Sequence, residues 1–162
     1  MTVKHHQSIE IQGADIGVAR CRLAFDDLTA TAANESIAWS ALVTAHPTGA
    51  SSVPANAYIV GAGVNIIEDF SGGSAATAVF DLGDAGNDDE LLAAVDCFTG
   101  AKAAAQLTVK NGAYTLGTFE ATAYVPLIDT TITADTVDNL TAGQAEFWIE
   151  YRAMTTDARV LD

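Results

Sequence analysis

With 162 residues bearing 21 acidic and 7 basic side chains, the chain has a formal net charge of −14 and a length suited to one domain, or one domain plus an arm. That balance excludes a nucleic-acid binder, which needs clustered cations to displace counterions, and a protein held electrostatically on an anionic membrane. No apolar run approaches the ~18 residues of a membrane-crossing helix, and the opening MTVKHHQSIE lacks the apolar stretch of a secretory signal.

In chain order, SIEIQGADIGVARCRLAFDD predicts one or two strands broken at Gly13, with Cys21 on the same face as Ala19, Leu23 and Phe25. Cys21 and Cys97 are too few and too far apart for a metal cage or a redox pair, so two buried free thiols are expected, with a disulfide as the alternative. After the polar LTATAANES, IAWSALVTA predicts a strand, closed by a turn at His46-Pro47-Thr48-Gly49. VPANAYIVGAGVNIIEDF is the longest predicted strand, with Tyr58, Val60, Ala62, Val64 and Ile66 on one face and Ile59, Gly61, Gly63, Asn65 and Ile67 on the other. Gly61 and Gly63 mark a bulge or a close backbone approach.

A turn at Gly72-Gly73 leads into the strand AATAVFDLG, and residues 87–98 predict a short helix. Asn111-Gly112, between two β-prone runs, is the strongest hairpin signal in the chain. Two last strands are expected around NLTAG, with Ala145, Phe147, Ile149 and Tyr151 facing the core and Glu146, Trp148, Glu150 and Arg152 facing water. Short strands at this spacing predict a mainly β fold, an antiparallel sandwich or jelly roll with one short helix and an extended N-terminal arm. Residues 1–35 are expected to form the arm and first strands, a candidate docking segment, and 36–162 the sandwich. Residues 1–25 hold three bases against two acids, so nearly all the negative charge lies in the body.

The richest chemical candidate is DLGDAGNDDELLAAV, residues 81–95. It fails the register of a helix-loop-helix calcium loop: from Asp81 the third position is Gly83 and the twelfth Leu92. The preferred reading is a helix start. Asn87 and Glu90 form a capping pair, Asp88 and Asp89 meet the positive helix end, and Leu91, Leu92 and Val95 face the core. A looser calcium site of Asp81, Asp84, Asn87 and Asp88 is the alternative. Glu68 and Asp69 are neighbours at a strand end, too common a pairing to signal a glycosidase. His5 and His6 read as surface residues and His46 as a turn residue. GGSAAT lacks the Lys of a phosphate loop, GAGVNI lacks the third Gly of a dinucleotide site, and no Ser lies in a G-x-S-x-G elbow. Trp39 is expected in the core, and Trp148, alternating with Glu146, Glu150 and Arg152, on the surface as a candidate interface residue. No catalytic, cofactor-binding or metal set is assigned, and no cofactor or enzymatic activity is expected.

The run VPANAYIVGAGVNIIEDFSGGSAATAVFDLGDAGNDDELLAAVD, residues 53–96, resembles a pattern in small structural proteins of tailed phages. There P-A-N-A precedes an apolar strand, an acidic-aromatic end such as EDF, a glycine-serine turn and a strand closing in G-D-x-G. TAGQAEFWIEYRAM resembles the closing hairpin of the same group. The resemblance covers about half the chain. It implies a capsid decoration (cement) protein: non-enzymatic, β-rich, trimeric, placed on the outer capsid surface of the virion and partnered by the major capsid protein. The alternative, from another class, is a carbohydrate-binding or adhesive β-sandwich using Trp148, Tyr114 and Tyr124 as a platform.

Overall fold

The structure, a computed structural model, describes residues 15–46, 50–104 and 108–153. Nine strands lie among them: β1 (Asp15–Ala24), β2 (Asn34–Ala38), β3 (Ala57–Ser71), β4 (Thr77–Gly83), β5 (Leu92–Asp96), β6 (Thr108–Val109), β7 (Phe119–Glu120), β8 (Leu127–Thr133) and β9 (Ala142–Ala153). They form two antiparallel sheets. The first runs β1-β9-β3, with β6 and β7 both against the far side of β3, and the second runs β2-β8-β4-β5. The predicted mainly β, two-sheet architecture is therefore observed.

Period-two alternation builds the core. Ala19, Cys21 and Leu23 of β1 and Ala145, Phe147 and Ile149 of β9 point inward from the first sheet. Ala78, Phe80 and Leu82 of β4 and Ile128, Thr130 and Ile132 of β8 answer from the second. Phe80 joins the layers: its ring meets Phe70 edge-on at 4.9 Å and Phe147 at 5.2 Å, the geometry aromatic quadrupoles favour. Cys21 and Cys97 are both buried and free, and burial pushes both thiols up, away from the reactive thiolate. Since β1 contributes to this core and β2 starts at Asn34, the expected boundary at 35/36 falls inside a strand of the sandwich. Residues 1–14, with His5 and His6 and the possible break at Gly13, lie outside the described residues.

The glycine bulge is present and reverses part of the predicted facing. Pairing with β9 jumps from Ile59↔Tyr151 to Gly61↔Glu150, leaving Val60 as the extra residue. Ala57 and Ile59 therefore point inward before the bulge, and Ala62, Val64 and Ile66 after it. Tyr58 belongs to the outer face, against expectation.

Three local predictions fail. IAWSALVTA is not one strand: β2 ends at Ala38 and an α-helix, α1, covers Trp39–Ala45. Trp39 and Leu42, one turn apart, are the buried pair that fixes it, and the Trp39 indole donates to Ala50 O at 3.0 Å. The turn expected after it falls at Pro47–Gly49, outside the described residues, and His46 ends α1 with its ring 3.0 Å from Asp27. Residues 87–98 form no helix; they close the loop between β4 and β5, then enter β5. Short α-helical turns occur instead at α1 and at Ala101–Ala104 (α2). Asn111-Gly112 makes no hairpin either, because β6 and β7 pair with β3 and not with each other. The two last strands, β8 and β9, exist as expected but lie in different sheets.

Among the described residues Thr130 is the exception in the core: it is buried and its hydroxyl has no hydrogen-bond partner. Thr130→Val keeps the shape and removes the unsatisfied group, so it is expected to stabilise the fold by about 1 kcal/mol, a rise of about 2–4 °C in a thermal melt.

Candidate interaction surface

The acidic stretch 81–95 leaves the end of β4, crosses a loop held from inside and enters β5. Asp84 accepts hydrogen bonds from the backbone N–H of Gly86 and Asn87 at 2.7 and 2.9 Å, a local turn of the kind Asp favours. Asp81 accepts from Ala94 N at 2.6 Å. Two glycines press on this loop: a Cβ on Gly83 would run into the backbone of Asn87 and Asp88, and one on Gly112 into the carbonyls of Asp89 and Glu90. The predicted capping pair is absent. Glu90 instead receives the Tyr124 hydroxyl at 2.7 Å. Among the described residues no group of three or more His, Cys, Asp or Glu side chains is arranged to hold a metal ion, so Asp81, Asp84, Asn87 and Asp88 are not drawn together as the calcium alternative required.

On the solvent side of the second sheet, Asp81 and Asp129 face each other across β4 and β8. Desolvation is the largest cause raising both carboxyls; Asp88 and Asp89 add to it at Asp81, Asp88 and then Asp81 add to it at Asp129, and Glu90 is raised first by burial as well. Asp135 goes the other way, to about 2, because Asn139 Nδ2 and the backbone N–H of Ser74 and Thr136 donate to it. For the raised groups, folding binds protons more tightly, so their stabilisation is complete below the unfolded pKa and lost as pH rises through the folded values. The Asp135 contribution is present above the ordinary carboxylate range near ~4 and lost as pH falls towards 2. Melting temperature is therefore expected to rise on acidification from pH 7 towards ~4 and to fall in stronger acid. A melt of Asp129→Asn across that range should show a higher value at pH 7 and a flatter neutral limb.

The outer face of the first sheet has a different character. Strand register sets four side chains in one row: Ile16 beside Arg152, Arg152 beside Tyr58, and Tyr58 beside Phe119. The Tyr58 and Phe119 rings meet at 5.2 Å. Nearer the middle, Arg20, Trp148, Gly63 and Val109 form a second row. The Trp148 ring lies over Gly61, 3.4 Å from where a Cβ would stand, which is why it is half-buried by its own sheet. Arg20 pairs with Glu146 at 3.1 Å. Ile16 and Val109 are 63% and 60% exposed, unusual for their type on a strand. The carbohydrate platform does not form: Tyr124 is only 5% exposed, while Tyr114 stands edge-on to it with its hydroxyl on Glu120. Sequence alternation placed Trp148 and Arg152 on a wet face; it missed Tyr58, Phe119 and Val109, which only register brings there.

No protein-family model matches the chain, and no curated protein does. Solved structures do. A chain in the capsid asymmetric unit of cyanophage Pam1 superposes with a TM-score of 0.55 at 14% identity, covering 95% of this chain and 93% of that one. This is a fold found in phage capsids. A chain of the acid-stable capsid of Helicobacter pylori bacteriophage KHP30 gives 0.50 at 12% identity, over 86% of this chain and 89% of the other. A chain of the capsid of Ralstonia phage GP4 gives 0.49 at 19% identity, over 92% and 91%. Coverage this even on both sides means the first two matched chains are close to this one in length.

Proposed function

We propose that the chain is a decoration (cement) subunit of a phage head, a non-catalytic virion protein seated on the outer capsid surface as a homotrimer and clamping neighbouring major capsid protein subunits. The observation that carries this reading is the fold it shares, over nearly its whole length, with capsid chains of two phages. Its charge suits the role: at −14, copies crowded on a shell repel one another sideways and stay soluble before assembly. Each contact can be weak, because many clamps acting together favour the assembled shell by mass action. The residues before β1 are the candidate for a second contact with the shell.

The test is to mix purified protein with bare, expanded shells of the major capsid protein from the same genome and image them by electron cryo-microscopy. Saturable density on the shell's symmetry axes is expected; shells that remain bare reject the proposal. Removing residues 1–12 is expected to lower occupancy while the melting temperature stays unchanged.

A further inference from the structure

The two sheet faces differ in more than position. The outer face of the second sheet displays Asp81, Asp96 and Asp129 among threonines, and its strands β2, β4, β5 and β8 contain no Lys or Arg at all. The outer face of the first sheet carries Arg20, Arg22 and Arg152, three of the four arginines in the chain. Against these stand Glu146, already paired with Arg20, Glu150, and the exposed Glu68 of β3 beside Gln144. In a protein of −14, this face is locally balanced and gathers most of the arginine.

It is also where apolar surface is left uncovered. Ile16 and Val18 of β1, Val109 of β6 and Phe119 of β7 are exposed, and Tyr58 and Trp148 lie half-buried between them. Arginine and aromatic side chains around exposed aliphatics, with lysine absent, is the composition of a protein interface and not of an ordinary solvated sheet. The face is also stiff. It is carried by the long strands β3 and β9, and Trp148 is fixed over Gly61, so little side-chain entropy is lost on docking.

From this pattern we infer that the outer face of the first sheet is the surface that seats on the shell, and that it meets a patch of carboxylates around an apolar centre on the capsid subunit. This rests on the decoration reading above. The occupant follows from charge. Arg22 and Arg152 stand at opposite ends of the face, on β1 and β9, with Trp148 and Val18 between them. A partner bearing acids at that spacing gains two charge-assisted contacts at the rim while the apolar residues are buried at the centre. A second copy laid face to face would set arginines among arginines. A second copy laid head to tail would offer aspartates and threonines, with no apolar centre to cover Ile16, Val109 and Phe119. The acidic face is then turned to solvent, where neighbouring copies on the shell repel rather than aggregate.

The experiment compares two variants of equal net charge. Arg22→Gln with Arg152→Gln removes two charges from the proposed face; Asn34→Asp with Asn87→Asp adds two negative charges elsewhere, at exposed positions. Binding to the bare shells used above is titrated for both and for the unaltered protein, at low and high salt, after thermal melts confirm that each is folded. The arginine variant is expected to need about tenfold more protein for half-occupancy and to lose part of the salt dependence, with the asparagine variant close to the parent. A third variant, Ile16→Ser with Val18→Ser, is expected to weaken binding without changing the salt dependence. Equal binding by the parent and the arginine variant, or equal weakening in both charge variants, overturns the assigned face and leaves the decoration reading intact. Failure of the unaltered protein to bind overturns both. If sedimentation shows that the arginine variant dissociates an oligomer while still binding shells normally, the face joins copies of this chain and the inference is wrong.

Discussion

Replacing Phe80 with alanine is expected to destabilise the protein by about 3–5 kcal/mol, the cost of deleting a fully buried aromatic ring from a core that cannot close over the gap. Among the described residues Phe80 is the ring that touches both Phe70 and Phe147, so its loss separates the aromatic contacts of the two sheets at the same point. Its neighbours are held on strands paired along their length, β4 to β8 and β9 to both β1 and β3, and have little freedom to collapse inward. A thermal melt should drop by about 10 °C or more. Phe80→Leu, which restores most of the volume, should recover over half of the loss; equal melts for the two variants would show that this site relaxes and that the ring does not tie the sheets.

The second large effect is expected at Gly143. Its φ of +137° lies where L side chains are rarely found, and a Cβ there would collide with the ring of Phe70 and approach that residue's Cα to 2.8 Å. Gly143→Ala therefore combines backbone strain with overpacking against main chain that cannot rotate away, together about 3–5 kcal/mol. Gly117 separates the two contributions. Its φ is +82°, yet nothing lies within 4 Å of the added carbon. Gly117→Ala should thus cost only the dihedral strain, about 1–2 kcal/mol. Chemical denaturation of both variants gives the comparison, and equal losses would place the whole effect in the dihedral.

Much of this architecture was legible where alternation was unbroken. β1, β4 and β9 each show an apolar face of period two, and the two-sheet fold follows from several such strands with short links. The failures have specific causes. Leu92 and Val95 are three residues apart, the spacing of a helix face, but they reach the core from a strand. A bulge sets Ala93 and Ala94 opposite the single residue Asp81, and Ala94 takes a φ of +49°. The extra residue turns a period of two into an apparent period of three. Trp39 and Leu42 carry the same spacing within a real helix of only two turns. A window of this length contains nothing that separates the two cases.

The interaction face was half legible. Glu146, Trp148, Glu150 and Arg152 share a side by alternation alone. That Ile16 lies in their row, and Tyr58 and Phe119 beyond it, depends on strand order and on the Val60 bulge. Both are set by contacts distant in sequence.

Asn111 shows what the missing hairpin accomplishes instead. Its amide oxygen accepts from Ala93 N at 2.7 Å and its amide nitrogen donates to Ala93 O at 2.8 Å. A single side chain thereby occupies the hydrogen-bonding positions that a tenth strand would seek on the outer margin of β5. Sheets left open on that side invite end-on stacking between molecules, a hazard that grows with crowding. The amide acts as a stopper, and any polymer that extended the second sheet past β5 would first have to pull it out.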